Sequence, residues 1–261
     1  MKSISSADNA RYKAMLKLAH SSRERRKAGM SVLDGEHLIT AYLKHMGKPA
    51  QLVVSSTASE RDGTQALLRS LAPQTPLVLS DTLFGELSTV ESPTGLMAIV
   101  PTPRPLAIPS CLGTCFMLED IQDPGNLGSI LRSAAASGIK SVLLSRNSVH
   151  AWSPRVLRAG MGAHFVLSIH ENVDLLEVAC AFRGKIIVTD GHATRYIYDA
   201  DLTGDIAIVL GNEGSGVSGV LRTVASEQVS IPMAAGIESL NVAAAAAVCA
   251  FERVRQLRHA T

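Results

Sequence analysis

The stretch that most constrains this chain is its last fifth, Ile208 to Leu257. An apolar strand, Ile208-Val209-Leu210, runs straight into Gly211-Asn212-Glu213-Gly214-Ser215-Gly216. A second apolar run, Val229-Ser230-Ile231-Pro232-Met233, ends in Gly236-Ile237-Glu238-Ser239-Leu240-Asn241, and an alanine-rich helix follows. Two strands that end in glycine-containing loops, then a helix of small residues, suit a ligand gripped by backbone rather than by long side chains. Taken singly, each loop would be an ordinary turn.

Upstream the pattern is strand, helix, strand. Cys115 to Asp120 predicts a strand, and Pro124-Gly125 a turn. Asn126 is placed to cap a helix that Gly138 stops after Ser137. Leu127, Ile130, Leu131, Ala134 and Ala135 form its core face, with Ser129, Arg132 and Ser133 opposite. Further strands are expected at Ser141–Leu144, Phe165–Ser168 and Lys185–Asp190, and helices from Ser153 to Arg158 and Val173 to Phe182. Repeated βαβ order predicts a parallel sheet covered on both faces. An amide at Asn126 and a guanidinium at Arg132 would then lie just past a strand end, where such sheets bind ligands.

Residues 32 to 100 alternate short strands and helices and predict a smaller α/β domain. Helices are expected at Glu36–Lys44, Thr64–Leu71 and Asp81–Ser88, the last capped by Asp81, with strands at Leu52–Val54, Pro76–Leu79 and Leu96–Val100. Pro101, Pro103, Pro105 and Pro109 mark a linker. The expected organisation is therefore a domain at 1–100, a proline-rich linker at 101–110, and a domain at 111–261.

Charge is uneven. The chain carries a net +2, yet residues 9 to 28 read as one basic helix in which Arg11, Lys13, Lys17, Arg23, Arg25, Arg26 and Lys27 face only Glu24. Such a run is either a solvated face or a phosphate-contacting surface. The cysteines Cys111, Cys115, Cys180 and Cys249 lack metal or disulfide spacing and point to buried reduced thiols. The histidines show no paired ligand spacing, so no metal is expected. No apolar run approaches the ~20 residues of a membrane span, and the first eight residues lack a signal-peptide core. The expected compartment is the cytoplasm.

The motif residues carry a family resemblance. Asn126-x-Gly128-x-x-x-Arg132-x-Ala134 resembles the first motif of the SpoU (TrmH) RNA ribose methyltransferases, and Gly211-x-Glu213-Gly214-x-Gly216 the second. Ile231-Pro232-Met233 followed by Ser239-Leu240-Asn241-Val242-Ala243 is similar to the third. One such motif is weak; three in order, each at an expected strand end, weigh far more. One departure stands: the glycine that members commonly have at Ala235 comes one residue later, as Gly236.

The resemblance implies an α/β fold whose carboxy-terminal parallel-sheet domain is a trefoil knot, preceded by a smaller ribosomal-protein-like α/β domain that holds substrate. It implies S-adenosylmethionine as cofactor, bound by Thr189, Leu210, Gly211, Gly214, Ile231, Met233, Leu240 and Ala243. The absence of a forward G-x-G-x-x-G after a strand argues against a dinucleotide site. The implied chemistry is methyl transfer to a ribose 2′-hydroxyl, with Arg132 central and Asn126, Glu213, Ser239 and Asn241 orienting it and the ribose. RNA is the implied partner, ribosomal RNA first, contacted by Arg11, Lys13, Arg23, Arg25 and Arg26. A homodimer through the knotted domain is also implied. The alternatives are a transfer RNA 2′-O-methyltransferase, a catalytically silent knotted RNA-binding protein, and an unrelated α/β enzyme using the glycine loops as phosphate cradles. The last lacks a P-loop lysine.

Overall fold

A computed structural model of the chain describes residues 2–104 and 107–259. Pro105 and Leu106, in the middle of the expected linker, lie outside the described residues, as do Met1, Ala260 and Thr261. The chain divides into two compact units, Met1–Arg104 with Trp152–Phe165, and Pro105–Ala151 with Val166–Thr261.

The first unit begins with β1 (Lys2–Ile4), α1 (Ala10–His20), α2 (Ser22–Ala28), β2 (Met30–Asp34) and α3 (Glu36–His45). It continues with β3 (Gln51–Ser55), α4 (Ser56–Ser59), α5 (Asp62–Ser70), β4 (Leu77–Leu79), α6 (Asp81–Leu87) and β5 (Leu96–Pro101). Among the described residues its sheet has the order β1-β4-β3-β5-β2. The strands β1, β4 and β3 are parallel, whereas β5 is antiparallel to both neighbours. The sequence signal missed β1 and β2: a three-residue edge and a short run with three consecutive buried residues have no period to read.

The expected single basic helix breaks at Ser21. That residue takes an extended backbone, and its hydroxyl accepts from the Glu24 amide at 3.2 Å, starting α2. A serine competes for its own backbone in this way, which ends one helix and caps the next. Arg25 is a correction to the expected RNA-contacting set. Only 4% exposed, it donates to the carbonyls of Leu18 (2.8 Å) and Ala19 (2.9 Å) at the end of α1, and to Ser22 Oγ. Its charge satisfies orphan helix carbonyls rather than facing a phosphate. Arg11, Lys13, Arg23 and Arg26 are exposed. Another cap also moves: Ser80, not Asp81, caps α6, while Asp81 receives the Thr57 hydroxyl at 2.8 Å.

The second unit holds β6 (Cys115–Leu118), α7 (Pro124–Ser137) and β7 (Ser141–Leu144). The helix α8 (Pro154–Gly160) belongs to the first unit, and with β8 (Ser168–His170) the chain returns to the second. There follow α9 (Leu175–Ala181), β9 (Lys185–Thr189), β10 (Ile206–Leu210), α10 (Gly219–Thr223), β11 (Glu227–Val229) and α11 (Val242–His259). The sheet is wholly parallel in the order β11-β9-β10-β6-β7-β8. Every residue of the central strands β6 and β10 is buried, which explains why they read as continuous apolar runs without alternation.

Several boundaries shift. Asp123, not Asn126, caps α7, its carboxylate accepting from the Asn126 amide at 2.7 Å, and Pro124 takes the first turn. Gly138 stops that helix in the left-handed conformation, as its position predicts. Ala163–Phe165 form a 3₁₀ turn, and the strand expected there starts at Ser168. Of the run expected over 229–233, Val229 ends β11 and Ser230 adds a single parallel bridge to Tyr196, while α11 starts at Val242. Cys115 and Cys249 are buried, and burial pushes both thiols up to about 12, whereas Cys111 and Cys180 are exposed, correcting the expectation that all four are buried. Among the described residues, no His, Cys, Asp and Glu cluster is fit to hold a metal, and no helix is long and apolar enough to cross a membrane.

Candidate active site at the carboxyl ends of the parallel strands

In the second unit β6 lies between β10 and β7. Its chain leaves through α7 towards β7, while β9 and β11 lie on the far side of β10. The strand order therefore reverses between β6 and β10, the place where loops diverge and leave a crevice. Asp123 to Arg132 leave the end of β6, and the 211–217 loop leaves the end of β10.

These segments meet in a row of side chains. Asn126 Nδ2 donates to Glu213 Oε1 at 2.9 Å, and Asn241 Nδ2 donates to Asn126 Oδ1 at 2.8 Å. Asn241 Oδ1 meanwhile accepts from the amides of Ala243 (2.9 Å) and Ala244 (3.3 Å), capping α11. One asparagine thus ends a helix and reaches another element, using both ends of its amide. The residues of three separate motifs, 115 positions apart at the extremes, form one chain of bonds.

The 211–217 loop is closed on itself. The amide of Asn212 donates to Gly216 O at 3.1 Å, and Gly216 returns a bond to Asn212 O at 2.9 Å. Asn212 Oδ1 takes the amides of Gly214 and Ser215, and its Nδ2 donates to Asp120 O at 2.9 Å. A Cβ on Gly211 would collide with the Gly216 carbonyl and the Val217 nitrogen, so the crossing admits only glycine. The loop is fastened outside as well. Glu119 Oε2 accepts from the Ser218 amide at 2.7 Å. Arg222 donates to Val217 O at 2.9 Å and pairs with Asp190 at 3.0 Å, linking this loop to the end of β9.

Arg132 lies on α7 with its side chain exposed, and among the described residues it has no hydrogen-bond or ion-pair partner. Ser239 is likewise exposed, and no side-chain hydrogen bond holds it among the described residues. Of the expected cofactor residues, Thr189 uses its hydroxyl on Val209 O at 3.0 Å. Leu210 is 1% exposed and its carbonyl accepts from Glu119 N, so that residue supports the floor from within the core. Ile231, Met233 and Ala243 are half-buried, and Gly214 and Leu240 are exposed. Glu119, Asp190, Asn212 and Arg222 were missed; the signal for the first three is a polar residue directly after a strand or inside a glycine loop, whereas Arg222, on α10, has none.

The residues fit an adenosine-bearing group. The loops after β9 and β11 approach each other, a Cβ on Gly191 falling 3.6 Å from Glu238 O. Ile231, Met233 and Leu240 are apolar and keep part of their surface exposed on the segment after β11.

Residues 113–251 match the SpoU rRNA Methylase family. The chain belongs to that family, a class of methyltransferases. It is 32% identical over 97% of its length to an uncharacterized tRNA/rRNA methyltransferase of Synechocystis sp., covering 94% of that protein. It is 27% identical to a 23S rRNA guanosine 2′-O-methyltransferase of Bacillus subtilis, over 96% of this chain and 98% of that one. Among solved structures, the SpoU methyltransferase AviRb from Streptomyces viridochromogenes, in complex with the cofactor AdoMet, superposes with a TM-score of 0.84 at 28% identity, over 96% of this chain and 98% of that one.

Proposed function

We propose that this protein is an S-adenosylmethionine-dependent methyltransferase acting on a ribose 2′-hydroxyl of ribosomal RNA. The observation that carries the reading is the Asn241–Asn126–Glu213 row, which joins the three motif segments at the sheet's switch point, with the exposed Arg132 on the same helix as Asn126. The named activities of the family relatives support the same reaction and substrate class.

S-adenosylmethionine supplies a methyl on a good leaving group. The chain's residues must therefore orient the hydroxyl and ease the loss of its proton. Thr189, Gly211, Gly214, Ile231, Met233, Leu240 and Ala243 would hold the cofactor, with Leu210 beneath them. Arg132 offers a fork of donors and a positive charge, which suits a developing alkoxide and a neighbouring phosphate. A guanidinium is ill suited to serve as a base. Glu213 holds Asn126, Asn241 holds the other end of that amide, and Ser239 stands free at the loop to meet the ribose.

The exposed Arg11, Lys13, Arg23 and Arg26 of the first unit would hold RNA phosphates. The proline-rich 101–110 linker would divide this substrate-holding part from the catalytic one, with Trp152–Phe165 returning to the first unit. A trefoil knot at 111–261, a cytoplasmic setting and a homodimer through the catalytic domain belong to the same reading.

Incubation with S-adenosylmethionine and ribosomal RNA, followed by mapping of alkali-resistant 2′-O-methyl positions, tests the proposal. Methyl groups found on bases, or on transfer RNA alone, overturn the assigned reaction or substrate. Binding of both ligands without transfer leaves the silent RNA-binding alternative.

A further inference from the structure

The helix α8 interrupts the family-matched region in sequence but is part of the first unit, where it packs on β2. Its apolar side, Val156 and Leu157, is buried. Arg155 and Arg158, one turn apart, are exposed. They line a cleft of about 400 Å³ together with Pro154 and the loop residues Thr89, Val90, Glu91 and Ser92. That volume falls in the range of about 300–1,000 Å³ that ligand sites occupy.

The opposite wall is built to stay in place. Asp34 Oδ2 accepts from Ser88 Oγ at 2.7 Å and from the Thr89 amide at 3.0 Å. At the far end Arg61 donates to Thr94 O at 3.0 Å. Among the described residues, the side chains of Arg155 and Arg158 have no ion pair or hydrogen bond, although Glu91 lines the same cleft. Two like charges one turn apart on a helix repel by a few tenths of a kcal/mol in isolation. Their repulsion is relieved by an anion with several acceptor oxygens, and the planar guanidinium fork matches a phosphate.

We propose that this cleft is a second RNA-backbone site, in which Arg155 and Arg158 hold a phosphate of the substrate and the Ser92 hydroxyl meets the adjoining sugar, the Thr89 hydroxyl being engaged with Asp34 Oδ2 at 3.4 Å. It rests on the reading of the protein as an RNA methyltransferase. The site is separate in the chain from the basic α1–α2 surface, and it anchors RNA through the first unit with residues that sequence order assigns to the catalytic region. Glu91 opposes binding and sets a limit on its strength.

The test uses the full chain carrying Arg155→Gln and Arg158→Gln together, with a ribosomal RNA substrate at several salt concentrations. The expected result is RNA affinity lower by about tenfold or more, and a slope of log affinity against log salt flatter by roughly 0.7 to 0.9 units, as one lost phosphate contact requires. KM for RNA should rise in step while kcat at saturating RNA and the S-adenosylmethionine affinity stay at wild-type values. Glu91→Gln should tighten RNA binding. The melting temperature controls for folding, and Arg155→Lys with Arg158→Lys should recover part of the affinity. Wild-type affinity and slope in the glutamine variant, with the parent still binding and methylating RNA, overturn the cleft alone. Competition by inorganic phosphate, at matched ionic strength, as strong as that by RNA identifies a free-anion site and overturns the RNA assignment. A parent that neither binds nor methylates RNA brings down the functional reading and this proposal with it.

Discussion

Asn126 and Glu213, 87 residues apart, are joined by a 2.9 Å hydrogen bond from the amide nitrogen to Oε1. The bond sets the amide's orientation: with Nδ2 committed to the carboxylate, Oδ1 is left to accept from Asn241. An ionised carboxylate accepts only, so it holds Asn126 in one of its two flips.

Asn126→Asp should therefore do more harm than a loss of contact. It sets a second carboxylate against Glu213, and two like charges in hydrogen-bond range cannot both ionise without cost. One of the pair takes up a proton more readily than an ordinary carboxyl group, so activity should be lowest at neutral pH and recover partly as pH falls. A pH–rate profile parallel to that of the parent overturns this account of the row. Asn126→Ala should lower turnover on the order of a hundredfold at all pH values, with cofactor affinity nearly kept.

Arg132 should matter for turnover far more than for cofactor binding, because it stands exposed and unpaired on α7. Arg132→Ala is expected to keep S-adenosylmethionine affinity by calorimetry while the methylation rate falls on the order of a hundredfold or more. Arg132→Lys keeps the charge and loses the fork, so partial rescue points to electrostatic stabilisation. Near-parental methylation by Arg132→Ala would reduce the arginine to a surface charge.

Gly211→Ala should abolish cofactor binding, because its Cβ has no room against Gly216 and Val217. Backbone must move, and a cost of about 1–3 kcal/mol is usual for overpacking. The comparison is Gly214→Ala, where the nearest atom lies 3.5 Å away. Thermal melting and a cofactor titration on both variants check this; equal behaviour of the two removes the closed-loop explanation.

Glu252 should give the protein part of its acid sensitivity. It is buried on α11, and its carboxylate receives Arg255 at 2.7 and 2.8 Å and Gln256 at 2.8 Å. The Arg255 bonds hold its pKa below the ordinary glutamate value, with Gln256 adding to the effect and burial opposing it. A depressed folded-state pKa contributes stability that is present above the unfolded value, about 4.3, and is lost as pH falls through the folded value. Glu252→Gln should be less stable than the parent at pH 7 in urea titrations, and the gap should close in acid. A gap that persists undiminished in acid assigns the loss to packing instead.

Much of the site was legible because its signals are local. Glycine at 211, an asparagine and an arginine on one predicted helix, and an asparagine before an alanine run are each readable from neighbours in sequence. The central strands β6 and β10 announce themselves as apolar runs, since both faces are buried. Helix α7 ends where Gly138 says it must.

Caps and charges were less legible, because adjacent polar residues compete and only the path of the backbone chooses between them. Asp123 took the cap expected of Asn126, and that left the Asn126 amide to bridge Glu213 and Asn241. Arg25 and Arg26 look alike in a basic run, yet the break at Ser21 turns one onto the carbonyls of α1 and leaves the other in solvent.

The sequence by itself determined most of the elements, the family and the identity of the groups available for chemistry, because periodicity, glycine and short motifs act over a few residues. Tertiary structure decided which of those groups meet. Pairing Asn126 with Glu213, Arg222 with Asp190, and α8 with β2 depends on strand order and helix packing over separations of many tens of residues in the first and last cases. Such contacts form when buried area and hydrogen bonding outweigh the entropy of closing the loops between them, and that balance is a property of the whole chain.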